Sequence, residues 1–164
     1  MWKDKVARLV AFPLAYKLMH FMVRLVVPRT RLGVAAVAVN EANEVFMVCH
    51  VFHPVYQWGL PGGWLKRNEA PADGALRELR EETGLTANLG PVVAVQHDPV
   101  TAYVGIAYVA TLQPGNLQLS HELSDARWFA SDALPTPITQ HTRNAIEAAV
   151  AYRKNQGIGD SNPA

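Results

Sequence analysis

The stretch GGWLKRNEAPADGALRELREETGL, residues 62–85, decides how the rest of the chain reads. Glycines stand at both ends, and four glutamates lie among apolar residues. Pro71 suits the first turn of a helix and Gly84 the left-handed position past its end, so the spacing predicts a helix from near Pro71 to Gly84. Ala72, Ala75, Leu79 and Thr83 form a face of small and apolar residues fit to pack on a sheet. Glu78, Glu81 and Glu82 stand at i, i+3 and i+4 and share another face, within about 6 Å of one another. Like charges at that spacing cost a few tenths of a kcal/mol per exposed pair and more when partly buried. A solvated helix with ion pairs such as Arg77 to Glu81 is one account of them. The double glycine ahead of the helix points to another, because bare backbone lets a ligand approach closely. Carboxylates are also the hard oxygen donors that hold Mg²⁺, which bridges to substrate phosphates.

The same residues resemble the Nudix box, written G-x5-E-x7-R-E-U-x-E-E-x-G-U with U aliphatic. Gly63 is followed after five residues by Glu69, and seven more lead to Arg77, Glu78 and Leu79. Glu81, Glu82, Gly84 and Leu85 complete the pattern, so every specified position is matched. The resemblance implies an α/β fold, the Nudix α/β/α sandwich with a mixed sheet. It also implies a pyrophosphohydrolase acting on a nucleoside diphosphate linked to another moiety, with Mg²⁺ or Mn²⁺ on the box helix. By that analogy Glu78, Glu81 and Glu82 are metal ligands, and the carbonyl of Gly62 adds a backbone oxygen. Arg77 orients the carboxylates, with Glu69 as its ion-pair partner. The family often adds a carboxylate outside the box as metal ligand or general base. Glu122, six residues before Trp128 in HELSDARWF, is the candidate for that role, ahead of Asp125 and Asp98. His97 and His121 are further candidates for phosphate contact or proton transfer, against a plain reading as solvated loop histidines. The alternative function is a catalytically silent Nudix-fold domain that binds nucleotide or regulates.

Outward from the box, RLGVAAVAVN and EVFMVCHV read as a strand pair across the polar EAN. NLGPVVAVQHD, AYVGIAYVATL and DARWFA read as further strands from their β-branched and aromatic content. Thr136 and Pro137 read as the N-cap and first residue of a last helix that ends before Gly157. The order of elements suggests a mixed sheet with helices packed on it. Phe52, Tyr56, Trp58 and Trp64 flank the box and either stack on a base or cover the loop. Family markers of substrate point two ways: Pro99 lies near the proline associated with ADP-ribose hydrolases, Tyr103 near the tyrosine associated with dinucleoside polyphosphate hydrolases. The substrate stays open, a small-molecule nucleotide with no nucleic-acid partner expected.

Composition is that of a globular protein, with 49% apolar and 18% charged residues among 164. The net charge of +1 hides a split. Residues 1–31 carry seven Lys/Arg against one Asp, and the remainder eight against thirteen Asp/Glu. That balance argues against a globally basic nucleic-acid binder. The single cysteine, Cys49, excludes an intrachain disulfide and fits a reduced, cytoplasmic setting, with a buried inert thiol as its expected state. The expected organisation is an amphipathic helical arm over 1–30, a Nudix domain over 31–157 and a disordered tail over 158–164. In the arm, Lys17, His20 and Arg24 sit at i, i+3 and i+7, giving a narrow polar stripe and a wide apolar face. No charge-free run there is long enough to span a bilayer. Residues 5–27 therefore cover their apolar face on the domain, on a second subunit as a homodimer contact, or on a membrane surface.

Overall fold

A computed structural model describes residues 13–26, 30–98 and 102–159. The chain divides into two compact units, Met1–Thr30 and Arg31–Ala164. Among the described residues the first contains the helix α1 (Pro13–Val26). In the second the order is β1 (Arg31–Ala38), β2 (Glu44–His50), β3 (Trp58–Gly59), β4 (Gly62–Trp64), α2 (Pro71–Thr83), β5 (Ala87–Asp98), β6 (Tyr103–Leu112), β7 (Leu123–Ala130) and α3 (Gln140–Gly159).

The strands form two sheets. One has the order β4-β1-β6-β5 and is mixed: β1 runs parallel to β6, from Arg31 opposite Tyr103 to Ala38 opposite Ala110, and the other pairings are antiparallel. The other has the order β3-β2-β7 and is antiparallel throughout. The expected pairing of residues 31–40 with 44–51 does not form. Among the described residues a single isolated bridge, Val39 with Val45, links the two segments just past the end of β1. Asn40 closes the turn between them: its Oδ1 accepts the Glu44 N–H at 2.9 Å and its Nδ2 donates to the Glu44 carboxylate at 2.7 Å. Beyond the turn β2 pairs with β3 and β7 in the second sheet.

Strand alternation builds the layers. Val37 and Val39 face one way and join Met47, Ile146 and Ala149 in a core under α3. Ala36 and Ala38 face the other way and join Phe46, Val48, Leu79 and Leu85 under α2. Both faces of β1 are covered, so its sequence reads as a near-continuous apolar run. Small side chains on that second face let α2 lie close, with Ala75 and Leu79 wholly buried. The helix ends as expected: Gly84 takes φ 70° and its N–H returns to the Arg80 carbonyl, a left-handed cap that glycine adopts without strain.

Two boundaries differ from the sequence reading. The last helix starts at Gln140, and Thr139 rather than Thr136 caps it, its Oγ1 accepting the Thr142 N–H at 3.1 Å. It also runs on through residues 157–159, where an end and a tail were expected; residues 160–164, Pro28 and Pro99 lie outside the described residues. Cys49 is free and half-buried rather than buried, at the shift in register between β2 and β7.

Candidate active site

The short edge strand β4 brings backbone against the middle of α2. A Cβ on Gly63 would sit 2.6–2.7 Å from the carboxylate atoms of Glu78, so a side chain here would push that carboxylate from its place. Next to this contact Arg77 uses all five of its N–H donors. Nε and Nη2 clamp the two Glu69 oxygens at 2.7 and 2.9 Å. Nη2 also donates to the Trp64 carbonyl at 3.1 Å, and Nη1 to Glu78 at 2.7 Å and Glu81 at 3.0 Å. The planar fork matches this set of acceptors in a way a lysine could not. The bidentate bond from Arg77, helped by the Lys66 N–H, pulls the Glu69 carboxyl down to about 2. Hydrogen bonds to Glu69 first, and then to Glu78 and Glu81, raise the guanidinium well above its ordinary value. Glu81 is lowered too, first by Lys66, whose Nζ lies 3.1 Å away, and then by Arg77.

Glu82 behaves in the opposite sense. It turns inward to 6% exposure, and its Oε2 accepts the Gly62 N–H at 2.9 Å. Burial first, then repulsion from Glu78 and Glu122, pushes its carboxyl up to about 7 despite that bond. The backbone explains why Glu122 is near. Ser120 N–H donates to the Glu82 carbonyl at 2.9 Å and Gln118 N–H to the Thr83 carbonyl at 2.8 Å. Carbonyls left over at the helix end are thus satisfied by the loop that leads to Glu122. The Val51 N–H in turn donates to the Glu122 carbonyl at 2.8 Å.

A family model of the NUDIX domain matches residues 29–149, most of the chain. The chain belongs to the Nudix family. It is similar to an RNA pyrophosphohydrolase of Cereibacter sphaeroides, 37% identical over 140 residues that cover 72% of this chain and 86% of the relative. It is also similar to the 8-oxo-dGDP phosphatase of Homo sapiens, 28% identical over 127 residues, covering 74% of this chain and 39% of that one. Among solved structures, a MutT Nudix hydrolase from Burkholderia pseudomallei superposes with a TM-score of 0.67 at 27% identity, covering 74% of this chain and 98% of its own. The chain spans about two fifths of the length of several curated relatives it matches.

Within this Nudix fold the three box glutamates are not equivalent. Arg77 stands between Glu78 and Glu81, while Glu82 faces Gly62 on the buried side. Among the described residues no three His, Cys, Asp or Glu are gathered as a ready metal cage. The donor set still fits a divalent cation. Glu78, Glu82 and Glu122 are hard oxygen donors whose charges repel at one place, one of them buried at a cost that a cation would remove. To reach Glu78 a cation would compete with one Arg77 nitrogen, while the Glu69 clamp keeps the guanidinium in place.

The remaining candidates scatter. Asp125 pairs with Arg127 and accepts its neighbour's N–H at 2.8 Å. Asp98 ends β5 opposite Tyr103, and His97 and His121 are exposed. Trp58 packs edge-on against Phe129, a covering role, whereas Phe52, Tyr56 and Trp64 are exposed. Trp64 meets Tyr103 edge-on at 5.4 Å, and burial and Asp98 push the Tyr103 hydroxyl up. Sequence reasoning missed two residues. Lys66 lies at an unspecified position of the box. His50, within an apolar run, stacks on His53 at 5.0 Å; burial and then His53 lower its pKa, while Glu122 opposes them.

Proposed function

We propose that this Nudix protein hydrolyses a pyrophosphate bond in a nucleoside diphosphate linked to another moiety, with Mg²⁺ or Mn²⁺ as cofactor. The observation that carries the reading is Glu82, a buried carboxylate set among Glu78 and Glu122 with a backbone N–H as its hydrogen-bond donor. A structural ion pair would place a cationic side chain there. Glu78, Glu81, Glu82 and Glu122, with the carbonyl of Gly62, would hold the cation. Such a cation supplies neutralisation of the pyrophosphate oxygens and acidifies nearby water.

The chain's own residues then divide the work. The Gly62 N–H fixes one Glu82 oxygen and so orients that carboxylate. Arg77, anchored on Glu69 and the Trp64 carbonyl, positions Glu78 and Glu81 and limits their mutual repulsion. Glu122, exposed where the chain enters β7, is the carboxylate outside the helix, a further ligand or the general base that accepts the proton of the attacking water. Trp64, exposed beside Gly63, offers a face for stacking the base. Relatives named as an 8-oxo-dGDP phosphatase, an NAD-capped RNA hydrolase and an RNA pyrophosphohydrolase support the reaction class and leave the substrate open.

The test is phosphate or nucleotide release from a panel of nucleoside diphosphate derivatives with Mg²⁺, for the wild type and Glu82→Gln. Turnover that depends on metal and collapses in the variant supports the reading. No turnover on any compound, with the cation bound normally, would make the chain a silent nucleotide-binding domain.

A further inference from the structure

Helix α1 presents an apolar surface much wider than a protein contact uses. Phe21, Leu18, Met22, Val26, Met19 and Val23 are each 40–74% exposed. At 100° per residue they sweep through roughly 200° of the helix circumference. A helix packed on a globular core or in a helix pair buries a stripe nearer 100°. A partner protein would leave half of this face in water, whereas the boundary layer of a bilayer takes all of it.

Charge completes the pattern. The helix sequence PLAYKLMHFMVRLV holds no acid; Lys17 and His20 are exposed, and the spacing of the sequence puts Arg24 in line with them. Residues 1–31 as a whole carry seven Lys/Arg against one Asp. Tyr16 lies tilted against His20 at the border of the stripe, with ring centroids 4.1 Å apart, an amphipathic ring where headgroups would lie. With 14 residues the helix is about 21 Å long, short of a ~30 Å hydrocarbon core. No helix among the described residues is long and apolar enough to cross a membrane. We propose that α1 lies in the plane of an anionic phospholipid surface, its apolar face among the acyl chains and its basic stripe on the headgroups. The partner is acidic lipid, which matches the stripe in sign; nucleic acid would match the charge but leave the apolar face uncovered.

The experiment is co-sedimentation of the full chain with vesicles of phosphatidylcholine alone or with about one third phosphatidylserine. Binding to the anionic vesicles, weakened by added salt, is the expected result. Lys17→Ala with Arg24→Ala should lower the partition coefficient roughly thirtyfold, and Phe21→Ser with Met22→Ser should abolish binding. The readout needs no turnover, so it stands or falls apart from the proposed reaction. Equal binding to neutral vesicles would overturn the proposal. So would absence of vesicle binding: a dimer in sedimentation equilibrium that Phe21→Ser with Met22→Ser dissociates would assign the face to a second copy, and a monomer whose melting temperature the same pair lowers would assign it to the chain's own domain.

Discussion

Two glutamates near α2 differ more from each other than either does from a glutamate in water. Glu69, clamped by Arg77, is held at about 2, whereas Glu82, sunk beside Gly62 and facing like charges, stands at about 7. One has its cation in the fold; the other has, among the described residues, only a backbone N–H as donor and carboxylates as neighbours. The contrast separates residues that build the site from residues that would use it.

The largest way to break this contrast is Glu82→Gln. If Glu82 serves a cation, turnover should fall by roughly 10³-fold, the scale of losing one electrostatic element of a reaction site. The metal-free protein should become more stable above pH 7, by about 3 kcal/mol, because a buried charge is gone. Activity assays and thermal melts in a chelator check the two halves. Loss of both activity and stability would instead mark Glu82 as a structural group.

Arg77→Lys probes the other side. A point charge cannot clamp Glu69 while reaching Glu78, Glu81 and the Trp64 carbonyl. Stability should fall by roughly 1–3 kcal/mol, and cation affinity should change by roughly 10–100-fold through misplaced carboxylates. Calorimetric melts and a Mn²⁺ binding isotherm measure these.

The pH profile of the metal-free protein sharpens the comparison, because the two groups act with opposite sign. Glu69 has its folded pKa below the unfolded value of about 4.5, so its stabilisation is present above that pH and lost as pH falls through about 2. Glu82 has its folded pKa above the unfolded value, so stability drops as pH rises from about 4.5 through about 7. Glu69→Gln should flatten the acid limb and Glu82→Gln the neutral one, as read by denaturant midpoints across pH. The smallest effect is Lys66→Ala, which breaks a pair exposed on both sides and should leave the melting temperature nearly unchanged.

What could be read in advance follows from where information lies in a chain. The α2 boundaries were legible because Pro71 and Gly84 act locally, and the Nudix pattern was legible because its residues sit at fixed spacing. The strand partners were not, since β1 joins β6 some 70 residues on, and only the Asn40 turn separates it from β2. The split of the box glutamates was equally hidden. Helical spacing puts Glu78, Glu81 and Glu82 together, but whether each meets Arg77, Lys66 or Gly62 depends on how β4 and residues 64–69 fold over the helix. Glu122 was within reach of sequence reasoning only by resemblance. Its approach to Glu82 depends on backbone bonds from Gln118 and Ser120, which leave no mark in the residue types.

The most direct test is a carboxyl-carbon NMR titration of Glu82 with and without Mg²⁺. A midpoint near 7 is expected in the metal-free protein, falling by two units or more when Mg²⁺ is added, with Glu69 unmoved. A Glu82 midpoint that Mg²⁺ does not shift would contradict it.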